Sequence, residues 1–129
     1  MSIEELIDTA KQARERAYAP YSGFRMGAAV SDGDGSILPG SLVENVSLGL
    51  AMCAERVALF SCVAAGLEPT RLALVAPRTG GDVTHPCGAC LQVALELGGP
   101  DLEVVAVATD GEVVRHQLRD LLPRGPHKG

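Results

Sequence analysis

The sequence predicts an α/β fold in which helices pack against a mixed sheet of five strands. Two observations carry this prediction. Helical and strand patterns alternate through the middle of the chain, and glycine-containing hairpins lie towards both ends, so the order is α-β-β-α-β-α-β-β. The 129 residues fit a single domain, spanning 1–129. We expect residues 124–129 to form a disordered tail.

The first element is an amphipathic helix that runs to about residue 17. Ser2 and Glu5 have the spacing of a capping box, which satisfies free backbone N–H groups where a helix begins. Apolar residues follow at helical spacing: Ile3, Leu6, Ile7, Ala10, Ala13 and Ala17. Pro20 and Gly23 then place a loop before the first strand.

A hairpin and a second helix come next. Residues 25–31 and 36–43 are predicted strands, joined by a turn at Asp32-Gly-Asp-Gly35. The segment 44–50 is irregular. A helix is expected at 51–65 because Gly66 can end it, and we expect Phe60 of this helix to lie in the core.

The rest of the chain alternates strands and helices in the same way. The predicted elements are a strand at 72–76, a helix at 88–97, strands at 102–108 and 112–114, and a helical turn at 118–121. The last two strands pair through a hairpin at Asp110-Gly111.

Composition excludes several classes of partner. The net charge is −5, the pI is about 5.1, and no cluster of lysines or arginines occurs, which argues against long nucleic acids and anionic membranes. The acidic start lacks the apolar segment of a signal peptide, and the apolar stretch 57–67 is too short to span a bilayer. We therefore expect a cytoplasmic protein with reduced cysteines, which favours metal-binding or catalytic roles.

The chain is apolar for its size. Hydrophobic residues make up 47% and the mean hydropathy is +0.17, although aromatic residues make up only 3%. A small domain has a large surface relative to its volume, so this excess favours a homo-oligomer that buries part of the surface.

Two cysteine motifs carry the chemistry: Cys53-Ala-Glu55 and Pro86-Cys-Gly-Ala-Cys90. Each lies at the start of a predicted helix, directly after a loop, where ligands bind in open α/β sheets. Three thiolates fill three corners of a tetrahedral zinc site and leave the fourth for water, which is typical of a catalytic site. A Cys-x-Glu followed by Pro-Cys-x-x-Cys is a pattern of zinc nucleobase deaminases, in which the glutamate acts as general acid and base.

Charge supports this ligand set. Zn²⁺ with three thiolates carries a net charge of −1, and two helix N-termini each offer about half a positive charge. Arg56 adds a full charge beside the first motif and can donate hydrogen bonds to sulfur. Cys62 lies nine residues after Cys53, about half a turn out of phase on one helix, so we expect it in the core.

Alternatives remain at this point. Cys87 and Cys90 alone would also fit a dithiol redox pair at a helix N-terminus. Glu55 alone could be a solvated residue in the first turn of a helix. A zinc-stabilised interaction module without catalysis is a third alternative, although such a module has no use for a carboxylate beside an open zinc corner.

The chain resembles the small, homotetrameric, single-zinc cytidine deaminases. The matching segments are Ala17-Tyr-Ala-Pro-Tyr-Ser-Gly-Phe24, Met26-Gly-Ala-Ala29, Val43-Glu-Asn-Val-Ser47, Gly49, Cys53-Ala-Glu-Arg56, Pro86-Cys-Gly-Ala-Cys90 and Gln92-Val93. The resemblance implies a three-layer α-β-α fold with helices on both faces of the sheet. It also implies hydrolytic deamination of cytidine and deoxycytidine in pyrimidine salvage, by a homotetramer whose subunits share active sites.

The resemblance also assigns roles to residues. Cys53, Cys87 and Cys90 would bind one zinc ion per subunit, and Glu55 would shuttle protons. The substrate would be bound by the backbone N–H of Ala54, the carbonyl of His85, the ring of Phe24 and the carboxylate of Glu44, while Arg56 would bond the thiolates.

The chain departs from the family pattern around the sugar and the base. Leu42 stands where the family usually has an asparagine that binds the ribose, and Leu48 and Leu91 replace a usual aromatic residue and a usual arginine. The last residues contain no aromatic side chain of the kind that closes over the base from a neighbouring subunit. A related substrate, such as a blasticidin S-like nucleoside or a modified pyrimidine, is therefore an alternative.

Overall fold

The computed structural model describes residues 2–128, which form four α-helices and one five-stranded sheet. The helices are α1 (Ile3–Glu15), α2 (Ala54–Ala64), α3 (Gly88–Gly98) and α4 (Leu118–Leu121). The strands are β1 (Gly27–Ser31), β2 (Ile37–Ser41), β3 (Arg71–Ala76), β4 (Glu103–Ala108) and β5 (Val113–Gln117). The element order is the predicted one, and the capping box of α1 is present.

The sheet is mixed, as predicted, with the strand order β2-β1-β3-β4-β5. β3 and β4 are parallel and are joined through α3, whereas the other neighbouring pairs are antiparallel. The loop after β3 therefore leads directly into α3.

Helices cover both faces of the sheet, which confirms the three-layer α-β-α architecture. Side chains alternate along β1, so Ala29 faces α1 while Ala28 and Val30 face α2. The α1 side buries Leu6, Ala10, Ala29, Ala73, Val75, Val105 and Val107. The opposite side buries a larger cluster under α2 and α3, which holds these two helices next to each other.

A glycine lets α2 lie close to the sheet. A Cβ atom on Gly40 of β2 would lie 2.3 Å from the carbonyl oxygen of Ala54 and 2.5 Å from the backbone nitrogen of Ala58. Both contacts are with backbone, so a side chain cannot be accommodated unless α2 moves. Because α2 begins next to Cys53, Gly40 also sets the position of the first cysteine motif.

We expect Gly40→Ala to lower the free energy of unfolding in urea by about 1–3 kcal/mol through overpacking. Gly49→Ala is the matched control, because a Cβ at Gly49 meets nothing within 4 Å, and its effect should stay within about 0.5 kcal/mol. Equal stability of the two variants would show that α2 is not held by this contact.

One sequence expectation is corrected and one stays a prediction. The disordered tail stays a prediction: the Gln92 side chain donates to the carbonyl of Pro126 at 2.8 Å, and a Cβ on Gly125 would meet Gln92 and Leu95 of α3. Gly129 lies outside the described residues. The corrected expectation is the place of Phe60 in the core. Phe60 is 46% exposed, because α2 buries the face bearing Ala54, Glu55, Ala58, Leu59 and Cys62.

Several large apolar side chains face outwards. Val46, Leu48 and Leu50, in and around the 3₁₀ turn Leu48–Leu50, are 79%, 84% and 70% exposed, and Val63 of α2 joins Phe60 on the outer face of that helix. Within residues 2–128, no helix combines the length and the apolar character needed to cross a membrane.

Candidate metal centre

Three cysteine sulfurs converge at the N-termini of α2 and α3. Cys53 is the residue before α2, Cys87 is the residue before α3, and Cys90 lies in the first turn of α3. Their Sγ atoms all lie within 4.8 Å of one another, and those of Cys87 and Cys90 are 3.5 Å apart. A tetrahedral zinc with Zn–S bonds of about 2.3 Å needs sulfurs about 3.8 Å apart. The three thiols are therefore placed to hold a metal ion.

The other cysteine does not belong to this group. Cys62 is 1% exposed and packs in the apolar cluster under α2, as the helical phase predicts. All four cysteines are free, so no disulfide joins Cys87 to Cys90. Among residues 2–128, Cys53, Cys87 and Cys90 form the one group of three or more metal-binding side chains.

The helix ends supply positive potential to the sulfurs. In the described structure neither α2 nor α3 has a side-chain cap, so the backbone N–H groups of both first turns stay available. Two helix dipoles point their positive ends at the same place. Such an environment favours thiolates over thiols.

Arg56 lies one turn along α2 and donates from its guanidinium to the Cys53 sulfur at 3.3 Å. The pKa of Cys53 falls to about 5, first because the Cys90 thiol donates to it and then because of Arg56. The pKa of Cys90 rises in turn, chiefly because of its bond to Cys53 and its burial. The Cys90 thiol and the Arg56 guanidinium thus stabilise the thiolate form of Cys53.

We expect Arg56→Gln to weaken zinc affinity by about 10- to 100-fold, because hydrogen bonds to ligand atoms tune metal binding. Competition with a chelating dye measures this affinity. Arg119→Gln is the control, since Arg119 pairs with Asp101 on the surface. Unchanged zinc affinity in Arg56→Gln would contradict a role for Arg56 at the sulfurs.

Glu55 is buried beside the sulfurs. Its side chain is 1% exposed, and it points inwards because Glu55 and Leu59 share the buried face of α2. Burial raises the pKa of Glu55 to about 7, the negative charge of Cys53 adds to the rise, and a hydrogen bond with Cys90 opposes it. A carboxyl group whose pKa lies near neutral can both accept and release a proton.

Three buried polar atoms lack a hydrogen-bond partner among the described residues: Glu55 Oε1, Arg56 Nε and His85 Nε2. Buried polar atoms are nearly always satisfied in folded proteins. Each of the three belongs to a residue next to a cysteine motif. The unpartnered carboxyl oxygen of Glu55, whose charge interacts with Cys53, fits a site whose partners are a metal ion and a substrate rather than protein groups.

His85 precedes the second cysteine motif. Its Nδ1 contacts the carbonyl of Val83 at 3.0 Å, and its ring packs against that of His116 on β5, with ring centroids 5.4 Å apart. The ring thus contacts β5 and its own loop, while its Nε2 has no hydrogen-bond partner among the described residues. The predicted substrate contact at His85 involves the backbone carbonyl.

The other predicted substrate contacts lie on three segments. The backbone of Ala54 begins α2, and Phe24 lies half-buried in the loop before β1. Glu44 follows β2, and its carboxylate accepts hydrogen bonds from that loop, at the backbone N–H groups of Tyr21 and Ser22 and at the Ser22 hydroxyl. Sequence reasoning missed Ser22, because no spacing rule connects residues 22 apart.

Leu42, where the resemblance implies an asparagine, packs against the apolar cluster under α2. Its backbone joins the loop and the sheet, since its carbonyl accepts from Tyr18 and its N–H donates to Met26. The Leu42 side chain therefore contributes to packing at a position where the resemblance implies a polar side chain.

Comparisons with known proteins agree with this geometry. A family model described as the cytidine and deoxycytidylate deaminase zinc-binding region matches residues 1–108. The cytidine deaminase of Sporosarcina psychrophila is 39% identical over 123 residues, which cover 95% of this chain and 90% of that protein. The cytidine deaminase of Halalkalibacterium halodurans is 42% identical over 123 residues, covering 95% and 92% respectively.

Solved structures show the same fold. The crystal structure of cytidine deaminase from Burkholderia pseudomallei superposes with a TM-score of 0.91 at 48% identity, and the match covers 98% of this chain and all of that one. The cytidine deaminase of Mycobacterium leprae matches with a TM-score of 0.79 at 35% identity, covering 96% of this chain and 99% of that one. Both similarities extend over nearly the whole described structure.

Proposed function

Because the chain belongs to the family of zinc-binding cytidine and deoxycytidylate deaminases, we propose that it deaminates cytidine and 2′-deoxycytidine by hydrolysis, which yields uridine, 2′-deoxyuridine and ammonia. The observation that carries this proposal is the convergence of three cysteine sulfurs beside a buried glutamate. Zinc fits this site because its donors are three thiols at two helix N-termini, and Glu55 Oε1 has no partner in the described structure.

Cys53, Cys87 and Cys90 would hold the zinc ion, which when bound would activate a water molecule for attack on the amine-bearing ring carbon. Glu55 takes one proton of the attacking water at its unpartnered Oε1 and delivers it to the adjacent ring nitrogen. It then takes the second proton from the same oxygen, now bonded to the ring carbon, and delivers it to the amine, which leaves as ammonia while the carbonyl forms. A pKa near neutrality suits both directions of transfer.

Backbone and loop groups would bind the pyrimidine and the sugar. The N–H of Ala54 and the carbonyl of His85 would hold the polar edge of the base, and the Phe24 ring would pack on its face. Glu44 would accept a hydrogen bond from a sugar hydroxyl, because its carboxylate oxygens can accept more hydrogen bonds than the loop donates. The support for this part of the proposal is that all four residues lie on segments adjoining the cysteine motifs or the loop before β1.

We further propose a cytoplasmic homotetramer that acts in pyrimidine salvage and shares active sites between subunits. Its support is the exposed apolar set Val46, Leu48, Leu50, Phe60 and Val63, since exposed apolar side chains of this size mark association surfaces. Four free cysteines fit a reducing compartment.

One observation favours a second candidate substrate. Leu42 contributes an apolar side chain to the core where a sugar-binding asparagine is usual, so one hydrogen bond to the sugar is missing. A nucleoside whose sugar lacks that hydroxyl, or carries a different group, would lose less binding free energy from the missing hydrogen bond than cytidine does. Blasticidin S-like nucleosides belong to this class, whereas a modified pyrimidine is a separate alternative because its change lies on the base.

The loss of ultraviolet absorbance on deamination separates these candidates. We expect the purified zinc-loaded protein to deaminate cytidine and 2′-deoxycytidine, and the comparison set is cytosine, 5-methylcytidine and blasticidin S. Robust turnover of another member without turnover of cytidine would overturn the substrate assignment. Absence of turnover on the whole panel would favour a non-catalytic zinc module.

A further inference from the structure

The loop between α1 and β1 is tied to the segment after β2 by a single carboxylate. Glu44 Oε1 accepts from the backbone N–H groups of Tyr21 at 3.0 Å and Ser22 at 3.2 Å, and Oε2 accepts from the Ser22 hydroxyl. Backbone bonds strengthen the junction, because Glu44 donates to Tyr18 and Tyr18 donates to Leu42, each at 2.8 Å. The loop and the segment 42–44 therefore form one unit.

The Ser22 hydroxyl has two partners in this unit. It donates its proton to Glu44 Oε2, and its oxygen accepts the backbone N–H of Phe24 at 3.0 Å. A hydroxyl that donates to a carboxylate makes a charge-assisted bond, stronger than a neutral one. The pKa of Glu44 is lowered, first because of this bond, so the carboxylate stays ionised at neutral pH.

We propose that Ser22 is a positioning residue of the nucleoside site, because its hydroxyl connects the carboxylate of Glu44 to the backbone of Phe24 and thereby fixes the ring that packs on the base. This inference rests on the proposed function, in which Phe24 contacts the base. In this proposal Glu44 also holds the loop in place, in addition to any contact that it makes with the sugar.

Loss of the Ser22 hydroxyl is expected to weaken substrate binding and to leave proton transfer unchanged. Ser22 lies on an exposed loop, whereas Glu55 and the sulfurs are held by α2 and α3. Loss of the Ser22 hydroxyl frees the Phe24 backbone but leaves the metal ligands in place. We expect Ser22→Ala to raise KM for cytidine by roughly 3- to 30-fold, with kcat within about twofold and zinc content unchanged.

The experiment compares Ser22→Ala, Ser22→Thr and the control Ser36→Ala in the zinc-loaded protein. Ser36 also contacts a carboxylate, that of Asp32, but in the hairpin at the far end of β1. Steady-state kinetics with cytidine give KM and kcat, and 2′,3′-dideoxycytidine, which keeps the base but lacks both of these sugar hydroxyls, is added as a competitor to obtain its Ki. Ser22→Thr keeps the hydroxyl and should restore KM, and Ser36→Ala should match the unsubstituted protein.

The inference predicts that Ser22→Ala raises KM for cytidine and Ki for 2′,3′-dideoxycytidine by the same factor. An unchanged KM, a change in KM alone, or a failure of Ser22→Thr to restore binding would overturn it. Absence of cytidine turnover in the unsubstituted chain contradicts the proposed function and the inference with it. Cytidine turnover in the unsubstituted chain, with a KM that Ser22→Ala leaves unchanged, contradicts the inference alone.

Discussion

Replacing Glu55 with glutamine is expected to lower kcat for cytidine by roughly 10²- to 10⁴-fold while the zinc content stays that of the unsubstituted protein. The amide matches the carboxyl in size and fits the same buried position on α2, but it cannot accept the proton of the attacking water. Because Glu55 serves successive proton transfers in the proposed mechanism, the loss should lie towards the upper end of this range. Initial rates from ultraviolet absorbance and metal analysis provide the two measurements.

The matched control for this variant is Glu96→Gln. Glu96 lies on the exposed side of α3, where its carboxylate is 3.8 Å from the ammonium group of Lys128, so its charge is not part of the metal centre. We expect its kcat to equal that of the unsubstituted protein. Full activity in Glu55→Gln would show that another group moves the proton.

Loss of one sulfur ligand should abolish both zinc binding and activity. In Cys87→Ala, two thiols remain at the N-termini of α2 and α3, and two ligands cannot hold zinc as three do. We expect less than one tenth of the normal zinc content, no measurable deamination, and a lower melting temperature, because a metal that binds only the folded state stabilises it. Metal analysis and thermal unfolding with and without added zinc test this.

Cys62→Ala separates metal binding from the general effect of removing a thiol. Cys62 lies in the core under α2, away from the other three sulfurs, so this variant should keep zinc and activity even if it melts earlier. A dithiol redox protein would give a different pattern: Cys87→Ala would lose reversible oxidation, and the purified protein would contain no metal. Normal zinc content in Cys87→Ala would contradict the proposed ligand set.

Local patterns predicted most of the fold because they record which residues repeat at helical or strand spacing. The ends of elements depended on partners that are distant in sequence. Residues 51–53 looked like the start of α2, but Met52 pairs with Val43 through two backbone hydrogen bonds and keeps this segment extended. β5 continues to Gln117 because Glu103 of β4 pairs with it, although its residues there are polar.

The metal centre was accessible from sequence because its three ligands come in two short motifs. Each motif begins a helix, so local spacing already places the sulfurs at neighbouring helix ends. The buried face of α2 was harder to predict from the sequence. Apolar residues occur on both sides of this helix, so their spacing could not decide whether Phe60 lies in the core. The contacts of Glu44 with Ser22 and of Gln92 with the tail depend on tertiary structure alone.

The most direct test of the central claim follows the oxygen atom that replaces the amine. The zinc-loaded protein is incubated with cytidine in water enriched in ¹⁸O, and the product is analysed by mass spectrometry together with the ammonia released. Hydrolytic deamination at the Cys53, Cys87 and Cys90 centre predicts uridine with one ¹⁸O atom for each ammonia, and no product in Glu55→Gln on the same timescale. Unaltered cytidine with a fully zinc-loaded protein, or uridine without the label, would contradict it.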